Sequence, residues 1–175
     1  MRFLERPVRR LAVALALLGG VALTALTIIT VLSVTGRALV WAGLGPVPGD
    51  FELVEAGTGF AVFAFLAWCH FNREHAQVEI LTMRFSPFAN RIIDLVVDAL
   101  MLVVACVLAY QHYLGMLDKI AYSETSFILR FPIWWAYAAS LLGAVAFVIV
   151  AVYCLLASIS AVAAGDTDSA ERPAS

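Results

Sequence analysis

The stretch LAVALALLGGVALTALTIITVLSVTG, from Leu11 to Gly36, contains no Asp, Glu, Lys or Arg, and its reading decides the fold. A bilayer core is about 30 Å thick, and roughly 20 residues of helix cross it, so this run is long enough to span. Three more runs free of these charges follow: Ala56 to Asn72, Ala99 to Leu117 and Phe131 to Gly165. With 63% hydrophobic and 14% charged residues, nothing is left from which a water-soluble domain could be built. The expectation is an all-α integral membrane protein with four transmembrane helices, at about 9–35, 52–71, 87–117 and 132–164. These form one domain, 1–164, and residues 165–175 are expected to be a disordered polar tail.

Local signals set the helix ends. Arg2, Arg6, Arg9 and Arg10 precede the first run as they would in a secretory signal. The apolar part of a signal is only about 7–15 residues long, so the first run reads as a retained membrane helix. Ser86 can cap the third helix and Pro87 suits its first position, and Pro132 marks the start of the fourth. Trp134, Trp135 and Tyr137 stand where an aromatic belt meets the interface.

Lys and Arg sort between alternate segments. Arg2, Arg6, Arg9, Arg10, Arg73, Arg84, Arg91 and Arg172 fall on one side, and Arg37, Lys119 and Arg130 on the other. The positive-inside rule then puts both termini of this multi-pass protein in the cytoplasm. Between helices 2 and 3, Val78, Leu81, Phe85 and Phe88 recur at helical spacing among Glu79, Thr82 and Arg84. This pattern predicts a short amphipathic segment lying along the interface.

Small residues mark the faces expected to pack. They are Ala16, Gly20 and Thr24 with Thr27 and Thr30 on helix 1, Gly57, Ala61 and Ala64 on helix 2, and Ala136, Ser140 and Ala144 on helix 4. Such faces let helices approach closely, and hydroxyls can bond across the contact. The three cysteines, Cys69, Cys106 and Cys154, form no zinc motif and read as small apolar side chains.

The charges inside the spans need partners. Asp94 lies within reach of Arg91 on helix 3. Asp98, deeper and without a basic neighbour on its helix, must face protein or water, because an unpaired acid near mid-bilayer costs on the order of 3 kcal/mol. One acid alone makes a poor ion cage, so a contact with another helix or subunit is the simpler role. Glu52 and Glu55 suit the N-terminus of helix 2, and Arg37 is expected to clasp Glu52 across the first loop. His70 and His112 sit at opposite ends of their helices, separated by about 30 Å of helical rise, so no haem can join them. No catalytic motif, metal-ligand spacing, cofactor loop or basic nucleic-acid patch occurs.

Several segments together resemble the small permease subunit of TRAP transporters, the DctQ-like or Q subunit of tripartite ATP-independent periplasmic systems. They are Phe51-Glu52-Leu53, then His75, Val78 and Glu79 in an H-x-x-V-[DE] pattern, and Phe131-Pro132-Ile133-Trp134-Trp135-Ala136-Tyr137 with Gly143 after it. Arg37 and Asp94 also fall where that family often has Arg and Asp. Gly49-Asp50-Phe51 replaces a Trp-containing approach to helix 2, and Phe131 replaces a common Ile. The likeness covers roughly residues 9–160. It implies a scaffold that anchors a large multi-spanning M subunit and works with a periplasmic substrate-binding protein. The process is sodium-coupled secondary transport of an organic acid, and the subunit carries no cofactor. Assembly residues implied by the resemblance and the charge reading are Arg37, Glu52, His75, Val78, Glu79, Asp94, Asp98, Pro132, Trp134 and Trp135. The competing reading is a small proton-coupled carrier acting as a homo-oligomer, which needs a membrane carboxylate such as Asp98.

Overall fold

The computed structural model describes residues 2–72 and 87–170. It is all-helical among these residues, with α1 Arg2–Ala38, a 3₁₀ turn at Val40–Ala42, α2 Asp50–Phe71, α3 Pro87–Ala121 and α4 Trp134–Ala170. All four helices are long and apolar enough to cross a membrane. The segment expected to lie along the interface, including His75, Val78 and Glu79, falls outside the described residues.

Three helices outrun the bilayer. α1 and α4 each have 37 residues and α3 has 35, against 22 for α2. At 1.5 Å per residue α1 and α4 are about 55 Å long, well beyond a 30 Å core. α1 begins at Arg2 rather than near residue 9, because Arg, Leu and Glu are all good helix formers. α4 continues to Ala170, past Gly165 where a disordered tail was expected. Each residue added to a formed helix gains a hydrogen bond, and the alanines before Gly165 carry the helix onward.

α2 packs against α1 on one side and α4 on the other, and α4 also packs against α3. α4 is the central helix: 44% of its apolar stretch is buried, against 17% in α1 and α2 and 11% in α3. The core is made largely of small side chains, with Ala61, Ala64 and Ala67 from α2, Ala105 from α3 and Ala144, Ala146 and Ala151 from α4. Phe147 is its largest fully buried member. Lipid tails are as apolar as leucine, so close backbone approach, rather than expulsion from water, holds such helices together.

Ala64 is the closest point. A Cβ placed on Gly19 of α1 would lie 3.2 Å from Ala64 Cβ. One placed on Gly143 of α4 would lie 2.9 Å from Phe63 Cβ and 3.2 Å from the Ala64 nitrogen. Both glycines are buried, and Ala64 is fully inaccessible between them.

The expected faces of α2 and α4 are used, since Ala61, Ala64, Ser140 and Ala144 are buried. That of α1 is not. Its buried stripe is Val8, Ala12, Gly19, Ser33 and Gly36, while Thr24, Thr27 and Thr30 are exposed. Each of these threonines donates its hydroxyl to the carbonyl four residues earlier at 2.8 Å. A hydroxyl satisfied by its own helix needs no partner helix. Cys154 is buried as expected, whereas Cys106 is exposed on α3.

Gly143→Leu is expected to lower the thermal unfolding midpoint in detergent, by an amount equivalent to about 1–3 kcal/mol of overpacking. Gly20→Leu, at a glycine with nothing within 4 Å of the added Cβ, is expected to leave the midpoint unchanged.

Candidate functional site

The polar side chains of the frame gather at its two ends. At the end bearing the α1–α2 and α3–α4 loops, Asp50 opens α2, where the helix dipole favours a negative charge. Ser33 Oγ donates to Asp50 Oδ2 at 2.5 Å and accepts from the Val47 amide at 3.3 Å. Arg37 Nη2 lies 3.7 Å from the same Asp50 oxygen. The expected Arg37–Glu52 clasp is therefore an Arg37–Asp50 clasp. Residues 50 and 52 point about 200° apart on a helix, so the aspartate faces α1 and the glutamate turns away. The Arg37 side chain is 66% exposed, so its ion pair adds little to stability.

Glu52 instead holds the α3–α4 hairpin. Its two carboxylate oxygens accept hydrogen bonds from the Ile128 amide at 2.7 Å and the Leu129 amide at 3.0 Å. Two successive amides form a natural anion seat. The hairpin is closed by Ser126 N–H to the Phe131 carbonyl and Ile133 N–H to the Glu124 carbonyl, with an antiparallel bridge from Thr125 to Pro132. Lys119 bonds Glu124 at 2.7 Å. Pro132 thus stands two residues before α4, its carbonyl accepting from the Trp135 amide. Trp134 and Trp135 follow as exposed rings packed edge to face.

At the opposite end, Asp98 of α3 is buried. Ser158 Oγ of α4 donates to Asp98 Oδ2 at 2.5 Å, and His70 Nε2 of α2 lies 4.0 Å from Asp98 Oδ1. The His70 ring meets Phe147 edge-on, and Cys154 Sγ lies 3.8 Å from the His70 carbonyl oxygen. Asp98 accordingly faces protein and joins three helices. Asp94 is half-buried one turn earlier on α3. The sequence reading named neither His70 nor Ser158 as a partner. The one available signal was position, since both stand near the same end of their helices as Asp98.

The structure separates the expected assembly residues into groups. Arg37 and Glu52 sit with the missed Ser33, Asp50 and hairpin amides, and Pro132, Trp134 and Trp135 lie beside them. Asp94 and Asp98 are at the far end, and His75, Val78 and Glu79 lie outside the described residues. Among the described residues, no three His, Cys, Asp or Glu side chains are grouped to hold a metal ion.

Four spanning helices, tied by polar contacts at both ends, define a multi-pass membrane protein whose buried polar groups bind helix to helix. Residues 26–161 match the family described as tripartite ATP-independent periplasmic transporters, DctQ component. That span covers well over half of the chain, which belongs to this family of small membrane components of TRAP transporters. The family is a transporter component rather than an enzyme. No curated protein and no solved structure matches the chain.

Two predictions follow from the two ends. Glu52→Gln is expected to speed hydrogen exchange at the Ile128 and Leu129 amides several-fold, while Arg37→Ala leaves both unchanged. At the other end, Asp98→Ala is expected to cost about 3 kcal/mol, as breaking a buried polar pair does, and Ser158→Ala about 1 kcal/mol. The double variant is expected to lose less than the sum. Thermal unfolding of the four proteins measures this, and strict additivity would mean that the two side chains are not coupled.

Proposed function

We propose that this chain is the static scaffold of a TRAP transporter in a bacterial inner membrane, anchoring the large M subunit. The M subunit carries the transport step, a sodium-coupled uptake of an organic acid delivered by a periplasmic binding protein. Both termini lie in the cytoplasm, in line with the eight-to-three distribution of basic residues. The 122–133 hairpin then faces the periplasm.

The observation that carries this reading is how little of its own surface the chain covers. Three of the four spans keep more than four-fifths of their apolar stretch unburied. The exposed face of α1 carries Gly20, which has open space around it, and Thr24, Thr27 and Thr30, whose hydroxyls are already satisfied. Such a face lets another helix approach closely without a polar penalty. It is therefore the proposed seat of the M subunit.

A mild-detergent pull-down from cells expressing the whole operon, with the captured proteins identified by mass, tests the reading. A stoichiometric multi-spanning partner is expected, and Gly20→Leu is expected to reduce its recovery while the captured chain keeps its unfolding midpoint. Recovery of this chain alone or as a homodimer that moves a solute by itself would sink the scaffold reading and favour a carrier.

A further inference from the structure

α2 and α3 flank α4 without packing closely on each other. In the crevice between them, under the 122–133 hairpin, lies a cavity of about 690 Å³. Its volume is in the range of small-molecule sites, roughly 300–1,000 Å³. Its floor reaches Gly59 and His112, more than two turns below the loop ends of their helices, and Ser140, more than one turn below. Phe51, Phe127, Phe131 and Tyr137 contribute aromatic walls.

The charged groups of the wall are all carboxylates, set among the hydroxyls of Thr125, Ser126, Tyr137 and Ser140. Glu52, Glu55 and Glu124 line the cavity, and no lysine or arginine does. Lys119 pairs with Glu124, whereas Glu52 is held by uncharged backbone amides. Glu55 lies one turn further along α2, and no described residue bonds it. His112 also lines the cavity. Its ring stacks on Tyr137 with centroids 4.8 Å apart, and its Nε2 is 3.2 Å from the Tyr137 carbonyl oxygen. A carbonyl only accepts, so Nε2 donates.

We propose that this cavity binds the ammonium headgroup of an aminophospholipid. Carboxylates beside aromatic faces attract a cation and repel an anion. The cavity is larger than an ammonium group alone needs and is built from membrane-spanning segments, so its occupant carries further atoms and arrives from the bilayer. Exposed Arg130, on the hairpin that roofs the cavity, offers the opposite charge that a lipid phosphate requires. This assignment rests on the cavity and not on the scaffold reading.

The test is native mass spectrometry of the full chain from mild detergent, titrated with phosphatidylethanolamine or phosphatidylglycerol, with free ethanolamine as competitor. Preferential retention of phosphatidylethanolamine is expected. Glu55→Gln is expected to weaken it about tenfold, the effect of losing one charged contact worth about 1.4 kcal/mol. Phe127→Ala, which removes a ring that is 98% exposed and outside the core, is expected to weaken it as well. Asp118→Asn, outside the cavity lining, is expected to change nothing. Equal retention of phosphatidylglycerol, or a Glu55→Gln protein that binds normally, overturns the proposal. Displacement by ethanolamine at matching concentration would assign the site to a free amine and overturn the lipid. A carbodiimide cross-link from Glu55 to a lysine of a co-purifying protein, with no lipid retained, would overturn it in favour of a protein side chain. Lipid retention and partner recovery are read separately, so either result stands without the other.

Discussion

Ala64 of α2, enclosed by Gly19 of α1 and Gly143 of α4, is the contact on which the arrangement depends. In a bilayer, helices gain nothing by hiding apolar surface from a solvent that is itself apolar. They gain by approaching until backbones come close, which small residues such as glycine, alanine, serine and threonine permit. Placing these residues on both sides of α2 fixes it between α1 and α4. α3 is then left to pack chiefly on α4, and a crevice opens between α2 and α3. The Phe63 and His112 rings meet across it at 5.3 Å.

That crevice explains why the polar contacts sit where they do. With no extended packing between α2 and α3, the pair must be tied at its ends. At one end His70 and Asp98 approach across the gap, with Ser158 of α4 completing the group. At the other end Glu52 of α2 grips the backbone of the hairpin that links α3 to α4. A carboxylate in a membrane protein is costly when alone, and Asp50, Glu52 and Asp98 are each placed where a hydroxyl, amide or base meets them. Glu55 has no such partner among the described residues, and it lines the cavity proposed to take a cation.

The spans were legible because absence of charge over a bilayer's length has one structural solution. The α2 and α4 faces were legible from the spacing of small residues. The α1 face was not, because threonine belongs among the residues of packed interfaces and also bonds its own helix; sequence spacing does not tell these apart. The first-loop clasp was read with the right base and the wrong acid, since Asp50 and Glu52 differ by two residues and therefore by most of a half-turn in direction. Glu52's true partners are two backbone amides, and an amide leaves no residue-type signature. His70 and Ser158 needed the relative registry of three helices, which no local pattern encodes. The family resemblance drawn from Glu52, the His75–Glu79 pattern and the Pro132–Tyr137 segment reached further than any of these contacts, and the match over residues 26–161 agrees with it.

Registry also shows where the excess helix length goes. His70 lies level with Asp98 and Cys154, one residue before the end of α2 at Phe71. From there α4 continues through Ala170, about 24 Å further, and α3 begins at Pro87, about 16 Å away in the same direction. Val8 of α1 belongs to the same core cluster as Ala67 and Cys154, so α1 also overshoots towards Arg2. Three helices therefore project past the short α2 on the side of the termini, while the loop side is drawn tight by the Asp50 clasp and the Glu52 grip. A mobile carrier would have to break one set of end contacts in each cycle to part α2 from α3. In a frame that holds still while a partner moves, both sets stay closed. Contacts at both ends and uncovered flanks between them favour the stationary role.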